Sequence, residues 1–299
     1  MSSKRLVPAI LLTSVAAIWG IAFVSMKTTL ERLDVYSFLA WRFSIATLVL
    51  IILRPKVLKS FNLNLLKKSV LVGFFLGCGY VFQSIGLTKT TVGKTGFITG
   101  LYVVITPLIA LFVLKKKISK WDWLSAVLAT IGLGLLSLRG VSIGLGEFLV
   151  LVSAIFFAVH IIALSEWSSS LDVYALATAQ LGTCAGITFI ASLIGGFKTP
   201  PDSGVWFAII FTALFATAFA FIVQTWAQSF MPATTVAVIL TLEAVFAAAF
   251  GLIFLKESLT VRITIGGLLV LVSMYLIIYF EKENNTVDEY LKKGAIQND

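Results

Sequence analysis

The chain has 299 residues, 59% of them hydrophobic and only 12% charged, with a mean hydropathy of +1.01. A soluble domain holds about 45–50% apolar and about 25% charged residues, so too few polar side chains are present to cover a water-soluble globule. The net charge of +9 does not point to nucleic acid, because the cations fall between apolar runs and not along one amphipathic face.

Crossing the hydrocarbon layer takes about 17–25 apolar residues in a helix. Ten segments qualify: 6–26, 35–53, 69–88, 95–114, 121–138, 144–165, 173–194, 205–229, 232–255 and 261–280. The first follows Lys4 and Arg5. It is too long for a signal-peptide core and lacks a small-x-small cleavage site before Lys27, so it reads as an uncleaved span. Gly73, Gly77 and Gly79 in the third span, Gly132 and Gly134 in the fifth, and Gly266 and Gly267 in the tenth suit close helix crossings in lipid. Cys78 and Cys184 lie inside spans without metal or redox spacing and read as packing residues. Alternating segments of about 10 residues, as in a β-barrel, are absent. The expected fold is therefore an all-α integral membrane bundle of ten transmembrane helices.

The cations give the orientation. With the N-terminus inside, 14 Lys and Arg fall on inner segments and 8 on outer ones, which predicts that both termini are cytoplasmic. The polar residues after Phe280 are expected to form a short cytosolic tail without its own fold.

The second half repeats the first. Residues 83–135 align with 224–276 without a gap and with nine identities in 53 positions. Gln83 then falls on Gln224, Tyr102 on Glu243, and Trp19 on His160. The run Leu33-Asp34-Val35-Tyr36 recurs as Leu171-Asp172-Val173-Tyr174, an offset that sets Arg42 against Gln180. Residues 1–140 and 141–281 are the expected five-helix repeats, followed by the tail at 282–299. Five is odd, so the second repeat enters the membrane from the opposite side. Inverted repeats of this kind characterise secondary transporters, whose substrate sites lie near the midplane where the halves meet.

The order of several short motifs resembles the drug/metabolite transporter superfamily, and within it the EamA family. They are Trp19-Gly20 with Phe23, Thr95-Gly96-Phe97 through Pro107, and Leu114-Lys115-Lys116-Lys117. The second half adds Ala158-Val159-His160 and Leu242-Glu243-Ala244 running to Leu255-Lys256-Glu257. The resemblance covers residues 6–280. It departs at Ala244, where the family often has proline, and at the lysines ending the fourth span, where many members have Gly-Glu. It implies two inverted five-helix repeats around a central cavity lined by helices 1–4 and 6–9, and a transporter whose substrate differs from member to member.

An ionisable group deep in a bilayer costs at least about 2.5–3.5 kcal/mol, so each one needs a reason. Arg42 offers a charged fork to a carboxylate or phosphate, or forms a structural pair with Glu243, or reaches water through the cavity. Glu243 offers a site for a proton, a cation or an ammonium group, or the same pair, or a hydrogen bond to a neighbouring helix. His160 reads as a proton relay or as a hydrogen-bonded packing residue. With Trp19, Tyr80 (one turn before Gln83), Gln83, Tyr102, Gln180 and Gln224, these form the candidate substrate site. Trp121, Trp123, Trp167 and Trp206 read as interfacial anchors, with Trp19, Trp41 and Trp226 deeper.

The expected partners are a small-molecule substrate, the bilayer and a coupling proton or cation. Nucleic acid is not expected, and a homodimer is left open. No cofactor or metal motif occurs, and no Walker A sequence. The alternatives are an integral membrane enzyme and a non-transporting receptor or scaffold. Against the enzyme, paired carboxylates, HExxH and GxSxG are missing, and His160 has no acidic residue at i±3 or i±4.

Overall fold

A computed structural model describes residues 3–137, 144–254 and 260–296, with side chains described over 6–136, 144–250 and 260–280. Every regular element among the described residues is helical. The first half comprises α1 (Ser3–Leu30), α2 (Val35–Leu53), a 3-10 turn (Pro55–Ser60), α3 (Leu63–Lys89), α4 (Val92–Gly100), α5 (Tyr102–Phe112) and α6 (Lys120–Ser137). The second comprises α7 (Leu145–Trp167), α8 (Val173–Gly195), α9 (Ser203–Ala213), a π-helical turn (Leu214–Phe219), α10 (Ala220–Gln228), α11 (Ala233–Leu240), α12 (Leu242–Phe254) and α13 (Val261–Ile296).

Nine helical segments among the described residues are long and apolar enough to cross a membrane, counting α4–α5, α9–α10 and α11–α12 as single spans. The predicted fifth span is α6. Its described part has 18 residues and begins Lys120-Trp121-Asp122-Trp123, so it is less apolar than the nine, and the count of ten rests on it. Polar residues after Phe280 continue α13 to Ile296 as helix. The side chains of Lys4 and Arg5, and the segments holding Arg139 and Leu255-Lys256-Glu257, lie outside the described residues.

The repeated Leu-Asp-Val-Tyr run starts an equivalent helix in each half. Asp34 caps α2 by accepting from the Ser37 N–H at 2.9 Å, and Asp172 caps α8 by accepting from the Ala175 N–H at 2.9 Å. Such caps satisfy amide donors that a helix start leaves unpaired. The helices they start pack against each other in opposite directions. Ser37 at the start of α2 bonds Ser192 near the end of α8 at 2.9 Å, while the Tyr174 hydroxyl donates to Leu50 O at 2.7 Å and Arg54 pairs with Asp172 at 3.3 Å. Equivalent caps thus stand at opposite ends of the bundle, which is the inverted topology.

Exchanging the halves maps the packing onto itself. The α2–α8 and α6–α13 contacts map to themselves, and α3 against α7 maps onto α10 against α1. Close crossings use glycine. A methyl group at Gly132 would meet Gly266 O at 2.7 Å, and one at Gly266 would meet Gly132 O at 2.8 Å. The Gly73 position stands equally close to Gln180 O, at 2.5 Å, and joins α3 to α8. Hydrophobic attraction between helices is weak in lipid, so this backbone proximity supplies much of the packing.

The fourth and ninth spans are interrupted within one residue of equivalent points in the repeat, at Leu101 between α4 and α5 and at Thr241 between α11 and α12. At Leu101 the N–H bonds three residues back, to Ile98 O at 3.2 Å, and at Thr241 the N–H is shared between Val238 O at 3.2 Å and Ala237 O at 3.3 Å. The ninth span breaks without the proline that Ala244 replaces.

Candidate functional site

The two interruptions and the middles of α1, α2, α3, α7 and α10 surround one central cavity. Its volume is about 50 Å³, room for a few waters. Eight of the nine predicted residues line it: Trp19, Arg42, Tyr80, Gln83, Tyr102, His160, Gln224 and Glu243. They come from both halves.

Gln180 is the exception. It is fully buried in α8 behind the cavity wall, where its carbonyl oxygen meets His160 Nε2 at 2.9 Å and its amide donates to Thr225 Oγ1 at 3.0 Å. The Thr225 hydroxyl donates to Phe221 O and so accepts from the Gln180 NH2, which leaves the Gln180 oxygen to accept from His160 Nε2–H. This geometry is that of a tethered wall residue. Gln83 is held in the same way by donating to Thr99 Oγ1 at 3.0 Å.

Arg42 is 1% exposed, and its fork is engaged by neutral groups. Nε donates to Thr217 Oγ1 at 2.7 Å, Nη2 to Ala216 O at 3.2 Å, and weaker contacts reach Met26 Sδ at 3.3 Å and the Tyr80 hydroxyl at 3.5 Å. The guanidinium also stands 4.7 Å from the Tyr80 ring centroid, a cation–π geometry. A direct ion pair with Glu243, one of the sequence expectations, is absent. Arg42 is turned toward α9–α10, where a better set of acceptors waits.

Those acceptors exist because of the π-helical turn. Widening the helix over Leu214–Phe219 removes carbonyls from the usual i→i−4 ladder. Ala216 O accepts from Trp19 Nε1 at 2.9 Å as well as from Arg42, and the Thr217 hydroxyl donates five residues back to Thr212 O at 2.8 Å. Its lone pair then faces Arg42. Thr217, Ala216, Met26 and Thr99 are contributors that reading the sequence missed. Threonine and alanine carry no charge to mark them in an apolar span, and the π-turn has no sequence signature.

Three buried polar atoms on the cavity residues have no partner: the Tyr102 hydroxyl, Gln224 Oε1 and Glu243 Oε1. The other amide group of Gln224 donates to Gln228 Oε1 at 3.0 Å, and Gln228 in turn donates to Ile161 O and to Ser165 Oγ, both at 2.6 Å. This chain separates the cavity from a larger hollow of about 510 Å³, lined by Ser165, Glu166, Asp122 and Thr234 among others. The hollow lies at the predicted inner face, where Lys116 pairs with Glu166.

The opposite end is tied shut. Arg32 pairs with Asp202 across the halves, and Lys94 pairs with Glu147 at 3.0 Å. Thr90 also donates to Glu147 at 2.7 Å, and Lys27 donates to Leu87 O at 2.8 Å. Trp41, predicted to lie deep, belongs to this end; its ring meets Trp206 and Phe197, and its Nε1 donates to Lys198 O at 3.2 Å. Trp226 packs on Phe230. Both cysteines are free, and the Cys184 thiol donates to Gly73 O at 3.2 Å. Among the described residues no cluster of His, Cys, Asp and Glu could hold a metal ion.

The sequence profile of the EamA-like transporter family matches this chain twice, over residues 6–138 and again over 144–279. The chain belongs to the EamA-like transporter family. An uncharacterized transporter of Archaeoglobus fulgidus is 33% identical over 275 residues, covering 92% of this chain and 86% of its own. YoaV, an uncharacterized transporter of Bacillus subtilis, is 25% identical over 278 residues, covering 88% and 94%. One solved crystal structure superimposes with a TM-score of 0.78 at 12% identity, over 93% of this chain and 99% of that one, which shows a common fold. The family assignment and the nine apolar spans make this EamA-like chain a multi-pass membrane transporter, with the bilayer and a small-molecule substrate as its partners.

Proposed function

We propose that this transporter is a secondary carrier. It moves a small metabolite (an amino acid, a nucleoside-like compound or a related organic solute) across the cytoplasmic membrane by alternating access, with both termini cytoplasmic. A proton or cation is the coupling ion. The substrate site is the central cavity, with Trp19, Arg42, Tyr80, Gln83, Tyr102, His160, Gln224 and Glu243 in its wall and Gln180 supporting His160.

One observation carries this reading. Polar side chains from two inverted halves converge on one central cavity, with cross-half ties at one end and a larger hollow toward the other. That is the arrangement an occluded or inner-open carrier needs, since rocking the halves exchanges the tied end for the open one. At about 50 Å³ the cavity must widen to take a solute, and the Gln224–Gln228–Ser165 chain is the barrier that parts.

The test is uptake of labelled amino acids, nucleosides, sugars and organic cations into proteoliposomes holding the purified chain. Saturable flux of one class, lost in Arg42→Gln or Glu243→Gln protein that still folds, supports the proposal. Flux no faster than in empty liposomes for every class, from protein shown to be folded, contradicts it.

A further inference from the structure

We infer that Glu243, Gln224 and Tyr102 form a subsite for the ammonium group of the transported solute; this rests on the reading of the central cavity as the substrate site. All three side chains line that cavity and are at least nine-tenths buried, at 4%, 1% and 3% exposure. Each has one polar atom without a partner: Glu243 Oε1, Gln224 Oε1 and the Tyr102 hydroxyl.

The orientation of Gln224 follows from its neighbours. Gln228 donates to a main-chain carbonyl, Ile161 O, so that end of Gln228 is its NH2 and its other end is an acceptor. Gln224 must present its own NH2 to that acceptor, which turns its carbonyl oxygen away with nothing to receive. Two of the three unpartnered atoms are therefore acceptors, and the third is a hydroxyl able to accept. A primary ammonium has three N–H donors and no acceptor, which matches this set. A carboxylate, phosphate or carbonyl offered to the Glu243 and Gln224 oxygens would bring acceptor to acceptor, leaving only the Tyr102 hydroxyl to donate.

The walls suit a cation as well. The rings of Trp19, Tyr80, Phe157 and Phe221 line the same cavity and contact one another at centroid distances of 5.3–6.2 Å. Ring faces attract cations. Arg42 does not fill this role for Glu243, because its donors are directed to Thr217, Ala216, Met26 and Tyr80.

The experiment measures binding to the purified full-length protein of two matched pairs: phenethylamine against phenethyl alcohol, and L-leucine against isocaproate. Within each pair the first compound carries the ammonium group and the second lacks it. The ammonium-bearing member of at least one pair should bind about tenfold more tightly, since each unmatched buried polar group weakens binding. Glu243→Gln should erase that preference. Tyr102→Phe, which removes a hydroxyl with no protein partner and so leaves folding intact, should weaken ammonium binding alone.

Equal binding within both pairs overturns the subsite. So does a preference that survives Glu243→Gln, or binding of uridine or glucose when none of the four compounds binds. If sodium or protons prove to need Glu243 while the amines do not, the residue serves the coupling ion and the inference also falls. Ammonium-selective binding without flux in proteoliposomes would defeat the carrier and leave the subsite standing. Flux of a solute without an ammonium group, indifferent to Glu243, would do the reverse.

Discussion

Tyr102 and Glu243 occupy equivalent places in the two halves, Tyr102 as the first residue of α5 past Leu101 and Glu243 as the second residue of α12 past Thr241. They are 141 residues apart, both buried, and both line the central cavity. In inverted-repeat transporters, breaks in membrane helices lie at the substrate site near the midplane. The Tyr102 hydroxyl has no partner, so Tyr102→Phe removes a buried group that costs about 1–3 kcal/mol to leave unpaired. The expected result is a melting temperature equal to or above wild type in a thermal unfolding scan. A clear loss of stability would mean that the hydroxyl is bonded in the empty protein.

Gly20 lies where α1 crosses α12. A methyl group there would stand 2.8 Å from both Glu243 O and Ala247 N. These are backbone atoms and cannot rotate away, so Gly20→Ala should cost about 1–3 kcal/mol as an overpacked contact. It should also shift Glu243 from its place in the wall. Thermal stability and flux are expected to fall together; wild-type values for both would place α1 further from α12.

The Thr217 hydroxyl holds Arg42 Nε at 2.7 Å. Thr217→Val keeps the shape and removes the acceptor, leaving a buried guanidinium donor short of a partner at a cost of about 1–3 kcal/mol. Thr217→Ser restores the oxygen and should restore most of the stability and transport. If Val and Ser behave alike, the bond does not position Arg42.

Much of this architecture was legible before any coordinates. Ionisable side chains inside apolar spans are costly unless they face a cavity or a partner, which selected Arg42, His160 and Glu243. The repeat alignment added Trp19, Gln83, Tyr102 and Gln224, and the helix face of Gln83 added Tyr80. All eight line one cavity. The Asp34 and Asp172 repeats marked equivalent helix starts because capping is a local interaction. Gln180 was selected by alignment with Arg42, but the longer arginine reaches the cavity while the amide is captured by His160 and Thr225. The π-turn escaped notice because it is a backbone distortion among small apolar residues. The direct Arg42–Glu243 ion pair, one of the alternatives open from the sequence, is not formed, because the acceptors Arg42 meets on α9–α10 lie on that turn.

Both termini are expected on the cytoplasmic side, from the 14-to-8 distribution of cations. An alkaline phosphatase fused after Phe280 in a bacterial host should be inactive, and one inserted in the connection 196–202 should be active. The opposite pattern would reverse the orientation, and equal activity at both sites would change the number of spans.

The claim that one cavity built by both halves is opened to each side in turn is tested most directly by accessibility. Gln83→Cys and Gln224→Cys are made singly in a chain carrying Cys78→Ala and Cys184→Ala, and a membrane-impermeant maleimide is applied to sealed vesicles of either orientation. Gln83 and Gln224 are 4% and 1% exposed, so labelling reports opening of the cavity. The account predicts that each position is labelled from both faces, and that a bound solute slows both reactions. Labelling of each position from one face only, or from neither, would contradict alternating access through this cavity.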